Sequence, residues 1–158
     1  MSRENLQNLV ERLSEDLGLA DLRLDSELNA CGFRVNDKLD VLIEYNEASD
    51  SAIFTITIGV LPEENRLAFA LDLLDANYYG IGSGGGRLST NSEQGTVYLQ
   101  LREATERLDQ ERFHSVLQVL VNNAEVWRDR LDKSTTHSDA GAAPDIMDIP
   151  RVPLHGLV

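Results

Sequence analysis

The sequence predicts an α+β fold in which a helix, three strands, a helix, two strands and a helix follow one another along 158 residues. Two observations predict it. In three segments apolar residues recur at i, i+3, i+4 and i+7, which is the spacing of one helix face. Between those segments they recur at every second position among β-branched and aromatic residues, as in strands. The loops between successive strands are too short for helical crossovers, so we expect an antiparallel sheet with the helices packed on it.

The first helix is predicted over residues 3–17, and Gly18 stands where a C-terminal cap is needed. Its apolar positions are Leu6, Leu9, Val10, Leu13 and Leu17. Spacing alone leaves two interpretations open, because this stripe either packs into the core or turns partly towards a partner. Residues 19–60 change to period two, and two polar turns divide them into a meander of three strands. The alternating residues are Leu22 and Leu24, then Phe33 and Val35, then Leu39, Val41, Ile43 and Tyr45, and finally Phe54, Ile56 and Ile58.

The second helix is predicted over residues 64–77, after Pro62 ends the third strand. It carries apolar residues on more than one side, with Asp72 and Asp75 as its few charges. A short helix that is apolar nearly all round is usually buried from two directions. In a protein of this size, we expect one of those directions to be open to another subunit.

Two further strands are predicted around residues 87–89 and 97–102, and a final helix over residues 110–131 with Asp109 as its N-cap. After Lys133 the composition shifts towards proline, serine, glycine and alanine. We therefore divide the chain into a folded domain, residues 1–133, and a flexible C-terminal tail, residues 134–158. Either the tail's last stretch, which has scattered apolar residues, docks somewhere or the whole tail is disordered.

The charge balance excludes several classes of partner. The formal net charge is −13, and Lys and Arg are not clustered, so neither a nucleic acid nor an acidic membrane surface is expected to bind. No apolar stretch approaches the roughly 18 residues that span a bilayer, and the first residues lack the apolar centre of a secretory signal. Cys31 is the only cysteine, which is consistent with a reducing cytoplasm.

No pattern of catalytic residues emerges. Residues 80–85 fit G-x-G-x-x-G, but that motif binds pyrophosphate only where it follows a strand and opens a helix, and here it follows a helix and leads to a strand. The carboxylates, the scattered histidines and Cys31 show no spacing that pairs a nucleophile with a base or builds a zinc site. The sequence thus predicts a protein that is not an enzyme, holds no metal or cofactor, and uses surplus apolar surface to bind another protein.

Several stretches, in this order and spacing, resemble class I type III secretion chaperones, the Tir-chaperone family, over about residues 3–132. These stretches are LNACGF (28–33), GVLP (59–62), LLDAN (73–77), GRL (86–88), VYL (97–99), LD (108–109) and AEVW (124–127). The glycine-rich run and the proline-containing tail are not standard parts of that family.

The resemblance implies a small, acidic, cytoplasmic homodimer that binds a segment near the N-terminus of a secreted effector without nucleotide. The segment stays extended and competent for secretion, held by helix-in-groove contacts and by strand addition at sheet edges. By resemblance, the second helix contributes to the dimer interface, with Phe69, Leu73 and Leu74 as the expected residues. The first helix and the sheet are expected to contact the effector through Leu6, Val10, Leu13, Val41 and Ile43. An aspartate at position 13 is expected to abolish effector binding and leave the fold intact.

Two alternatives remain open. A regulatory relative of this family would bind a transcriptional or secretion regulator and couple secretion to gene expression, and its sequence features would be the same. An enzyme or nucleotide-binding protein would use residues 80–86, and a nucleotide would then raise its melting temperature.

Overall fold

The computed structural model describes residues 2–19, 22–91, 93–135 and 151–152. Its helices and strands follow the predicted order. They are α1 (Ser2–Asp16), β1 (Ala30–Val35), β2 (Leu39–Asn46), β3 (Ser51–Val60), α2 (Arg66–Asn77), β4 (Arg87–Thr90), β5 (Thr96–Ala104), α3 (Gln110–Thr135) and β6 (Arg151–Val152). Among the described residues, no helix is both long and apolar enough to cross a membrane.

The strands form one sheet in the order β4-β5-β3-β2-β1-β6. The first five strands in this order pair antiparallel, as predicted, with β1, β2 and β3 as a meander and β5 returning to the other side of β3. The sixth strand is new, because β6 joins the free edge of β1 in parallel. The alternating residues 22–25 do not form a strand.

The apolar residues of the strands point to one face of the sheet, and α1 and α3 cover that face. Phe54 of β3 lies 5.7 Å from Phe113 of α3, measured between ring centroids. The core that results is continuous from α1 through the sheet to α3. It contains four of the five apolar positions predicted for the first helix, and the fifth, Leu17, is only partly buried. Burying this set drives the fold, since each fully buried leucine or phenylalanine contributes about 1.5–3 kcal/mol.

The predicted tail, residues 134–158, lies mostly outside the described residues. The structure places Ser134 and Thr135 in the last turn of α3 and Arg151–Val152 in β6. The α3 helix therefore continues about four residues beyond its predicted end.

Candidate functional site

The five residues predicted to bind an effector lie in the core of the protomer. Leu6, Val10 and Leu13 project from α1 towards the sheet, Val41 and Ile43 project from β2 towards the helices, and none is more than 1% exposed. Their assignment to effector binding stays a prediction. The expectation that aspartate at position 13 would leave the fold intact is wrong. Leu13 is fully buried, and a carboxylate there would be buried among apolar side chains and destabilise the fold.

The three residues predicted for the dimer interface divide between two faces of α2. Phe69 and Leu73, spaced i and i+4, face inward and are 7% and 3% exposed. The Phe69 ring packs edge-on against the Trp127 indole of α3, with 5.9 Å between the centroids. These two side chains therefore anchor α2 to its own protomer. Leu74 points away from the core and is 64% exposed.

Leu74 belongs to a row of exposed leucines that we call the α2 stripe, which consists of Leu67, Leu71 and Leu74. The three residues follow i, i+4, i+7 spacing, so they lie on one side of the helix, and each is more than half exposed. Exposed Tyr78, Tyr79 and Ile81 follow directly along the chain. The prediction that α2 is apolar on two sides is confirmed: the core covers one side, and the other is bare in the single chain.

The glycine-rich run is a packed connection between α2 and β4. The Trp127 indole N–H donates to the Gly82 carbonyl oxygen over 2.8 Å, which fixes the run against α3. A Cβ on Gly82 would lie 2.6 Å from the Ala76 Cβ, so only glycine fits there. The backbone N–H groups of Gly82, Ser83, Gly85 and Gly86 all donate to carbonyl oxygens of residues 76–83. Phosphate binding needs such N–H groups to point at the ligand, and these four point at carbonyl oxygens of the chain itself.

The edge of the sheet at β1 is the second exposed feature. A tight turn leads into it, in which the Asp25 carboxylate accepts hydrogen bonds from the backbone N–H groups of Glu27 and Leu28, both over 2.8 Å. The Leu28 and Glu27 hydrogen bonds lower the pKa of Asp25. The Arg3 guanidinium donates to the Asn29 side-chain oxygen over 2.6 Å, so the start of α1 holds the start of β1.

Only part of this edge is paired. In the described part of the chain, β6 pairs with Arg34 and Val35, and no strand lies beside residues 30–33 on the side away from β2. The Ala30 carbonyl oxygen on that side accepts a hydrogen bond from the Asp25 N–H over 2.8 Å. An unpaired strand edge presents backbone N–H and C=O groups that another extended chain can bind. On the outer face of the sheet, Gly32 lies opposite the half-exposed Leu42 and leaves it uncovered. We call this outer edge of β1, residues 30–35, the β1 edge, and its last two residues are the ones that pair with β6.

The titratable groups offer little for catalysis. Burial raises the pKa of the Cys31 thiol to about 12, so this sulfur is protonated at neutral pH and is a poor nucleophile. The described residues contain no group of three or more His, Cys, Asp or Glu side chains placed to hold a metal ion.

Solved structures share this arrangement of elements. One chain of the ExsC–ExsE complex is 18% identical, with a TM-score of 0.71 over 81% of this chain and 94% of that chain. One chain of the HopA1–SchA chaperone–effector complex is 14% identical, with a TM-score of 0.66 over 82% and 97%. One chain of the ExoU–SpcU complex, from the type III secretion system of Pseudomonas aeruginosa, is 16% identical, with a TM-score of 0.59 over 84% and 99%. No curated protein sequence matches the chain.

The fold is thus one that is also found in a chaperone–effector complex and in a complex from a type III secretion system. The model of the Tir chaperone protein (CesT) family matches residues 8–128, a range that runs from within α1 to late α3. The chain therefore belongs to the Tir chaperone protein family, as the sequence stretches indicated.

The sequence analysis did not identify the full α2 stripe or the β1 edge. The α2 stripe had a signal, since Leu67, Leu71 and Leu74 show helical spacing in the sequence. Nothing in the sequence marks β1 as an edge strand, because strand order depends on contacts between distant residues.

Proposed function

We propose that this protein is a cytoplasmic chaperone that binds the N-terminal region of a type III secreted effector as a homodimer and keeps it stable and competent for secretion. The observation that carries the proposal is the family match, which spans residues 8–128 and so includes all five antiparallel strands. The structure of the protomer supports it with two exposed features, the α2 stripe and the β1 edge.

The α2 stripe is the proposed dimer contact, and its occupant is the same stripe of a second copy. A row of three leucines on one helix is self-complementary about a two-fold axis, which is the symmetry of most homodimers. Exposed apolar surface of this kind usually marks a protein interface. Leu67 and Leu71 join Leu74 as the proposed interface residues, whereas Phe69 and Leu73 support the helix from the core side.

The β1 edge is the proposed start of the effector surface. An extended effector segment gains main-chain hydrogen bonds there by adding a strand, and adjacent pockets then select its side chains. Leu6, Val10, Leu13, Val41 and Ile43 contribute by holding α1 and β2 in place and so fixing the shape of this surface.

The proposed activity is binding alone, without nucleotide and without catalysis. Two observations support this: the N–H groups of the glycine-rich run are used within the loop, and the single thiol is protonated at neutral pH. Incubation with a panel of nucleotides is accordingly expected to leave the melting temperature unchanged.

The experiment that tests the proposal has two stages. Native mass spectrometry of the protein purified from its own host is expected to give two copies of this chain with one larger protein. The N-terminal segment of that protein, purified separately, should then bind the recombinant chaperone, and amide hydrogen exchange should slow at Ala30 and Gly32, which face away from β2. A partner that is a transcriptional or secretion regulator would favour the regulatory alternative. A monomer that binds no segment would overturn both.

A further inference from the structure

Two residues near the C-terminus, Arg151 and Val152, lie on the edge that we propose for effector binding. Arg151 and Val152 pair in parallel with Arg34 and Val35, the last two residues of β1. This contact joins parts of the chain more than 100 positions apart, and it continues the sheet beyond β1 in the direction in which an added strand would extend it.

The pairing between β6 and β1 is short, and the residues that flank β6 limit its length. It uses two of the six residues of β1. Pro150 and Pro153 flank the paired residues. Proline has no N–H to donate to a ladder, and it favours an extended backbone at the residue before it. Because a proline stands on each side, the strand favours an extended backbone before it pairs and cannot add further ladder hydrogen bonds. Few hydrogen bonds therefore hold it, and it is easily displaced.

The segment also has a high local concentration. Fifteen residues, 136–150, connect the end of α3 to β6. Partners joined by a tether of such length typically meet at effective concentrations on the order of 1 mM. A contact too weak to form between separate molecules therefore forms within one chain.

We propose that the segment around Arg151–Val152 is a resident strand of the β1 edge, and that it competes with the effector segment for this edge. The competition rests on the proposed function, whereas the occupancy of the edge does not. The resident strand shields part of an apolar edge strand that would otherwise pair with other chains. It also lowers the apparent affinity for the effector by the fraction of time for which it occupies the edge.

The test of occupancy uses the full-length chain with two prolines in place of the paired residues. The variant R151P/V152P removes every N–H donor from positions 150–153 and replaces none of the core residues described above. The matched control, A142P/A143P, places two prolines in the same tail outside the strand. Amide exchange of Arg34, whose N–H faces the outer edge of the sheet, is expected to be several-fold faster in R151P/V152P than in the unsubstituted chain and unchanged in the control. Equal exchange in all three proteins would overturn the proposal.

The test of competition uses two probes. A fluorescent peptide of residues 146–158 is expected to bind R151P/V152P about 3–10-fold more tightly than the unsubstituted chain, which corresponds to an edge occupied for about 70–90% of the time. The effector segment identified by mass spectrometry is expected to show the same order. Equal affinity of this segment for all three proteins would overturn the competition. If no segment bound any of the proteins while the peptide and the exchange rates behaved as expected, the proposed function would fail and the resident strand would stand.

Discussion

Replacing Leu74 by aspartate tests the dimer contact at its most informative position. Leu74 is 64% exposed in the single chain, so its side chain adds little to the protomer's own core. Complete burial of a leucine side chain is worth about 1.5–3 kcal/mol, and burial of the exposed part is therefore worth roughly 1–2 kcal/mol. A two-fold interface contains this residue twice.

Leu74→Asp is thus expected to remove roughly 2–4 kcal/mol of association free energy, since the buried apolar contact is lost in both protomers. At about 1.4 kcal/mol for each tenfold change, the dimer dissociation constant rises about 30- to 1000-fold. The desolvation of two carboxylates adds to this effect. Sedimentation velocity over a concentration series measures the dissociation constant, and circular dichroism checks that the protomer stays folded.

Leu28→Asp is the matched control. Leu28 is 67% exposed and lies in the turn before β1, so the chemical change and the starting exposure are nearly the same at a position away from α2. We expect this variant to dimerise like the unsubstituted chain. The reasoning is refuted if Leu74→Asp and Leu28→Asp give the same dissociation constant, or if the unsubstituted chain is monomeric at every concentration.

Three further predictions concern the protomer. Leu13→Asp is expected to lower the free energy of unfolding by more than about 4 kcal/mol because it buries a carboxylate and leaves a cavity. The control Arg12→Asp, on the exposed side of α1, should change this free energy by less than about 1 kcal/mol. Equal stability of the two variants in urea melts would contradict the placement of Leu13 in the core. Trp127→Phe keeps a ring but removes a hydrogen bond of 2.8 Å, so we expect a loss of about 1 kcal/mol by thermal or urea melts followed by circular dichroism, and no loss would show that the bond contributes nothing. Burial raises the pKa of Cys31 from 9.0 to about 12, so at pH 8 iodoacetamide should label the native protein about 100- to 1000-fold more slowly than the unfolded protein. The free energy of unfolding should fall as the pH rises above about 9, because only the thiol of the unfolded protein ionises there. Equal labelling rates would refute this prediction.

The sequence was sufficient for the elements because their periods differ clearly. Every second residue of β2 and β3 is apolar, and the loops between these strands are too short for anything but antiparallel pairing. The amphipathic spacing of α1 likewise predicted which of its residues share one face, although it left open whether that face meets the core or a partner. In each case one apolar face has one polar face opposite it, so the pattern has a single solution for which residues share a face.

The pattern could not decide between the two faces of α2, because both are apolar. Phe69 and Leu73 both turn inward, and the Phe69 ring packs there against the Trp127 ring of α3, a contact between residues far apart in sequence. The pairing of β6 with β1 could not be predicted either, because a strand of two residues is too short to show alternating apolar positions. The glycine-rich run matched a phosphate-binding pattern, and only the packing against Ala76 and Trp127 showed what its glycines do.

The topology also bears on how the protein folds as it leaves the ribosome. The central strand β3 can pair with β5 only after residues 96–104 have been made. The inner face of the sheet can pack only after α3, which begins at Gln110, has been made. Until Phe113 emerges, Phe54 has no ring to pack against. Domains that depend on contacts between distant residues fold late and expose apolar surface for longer. The nascent chain is therefore itself prone to aggregation until α3, residues 110–135, has left the ribosome.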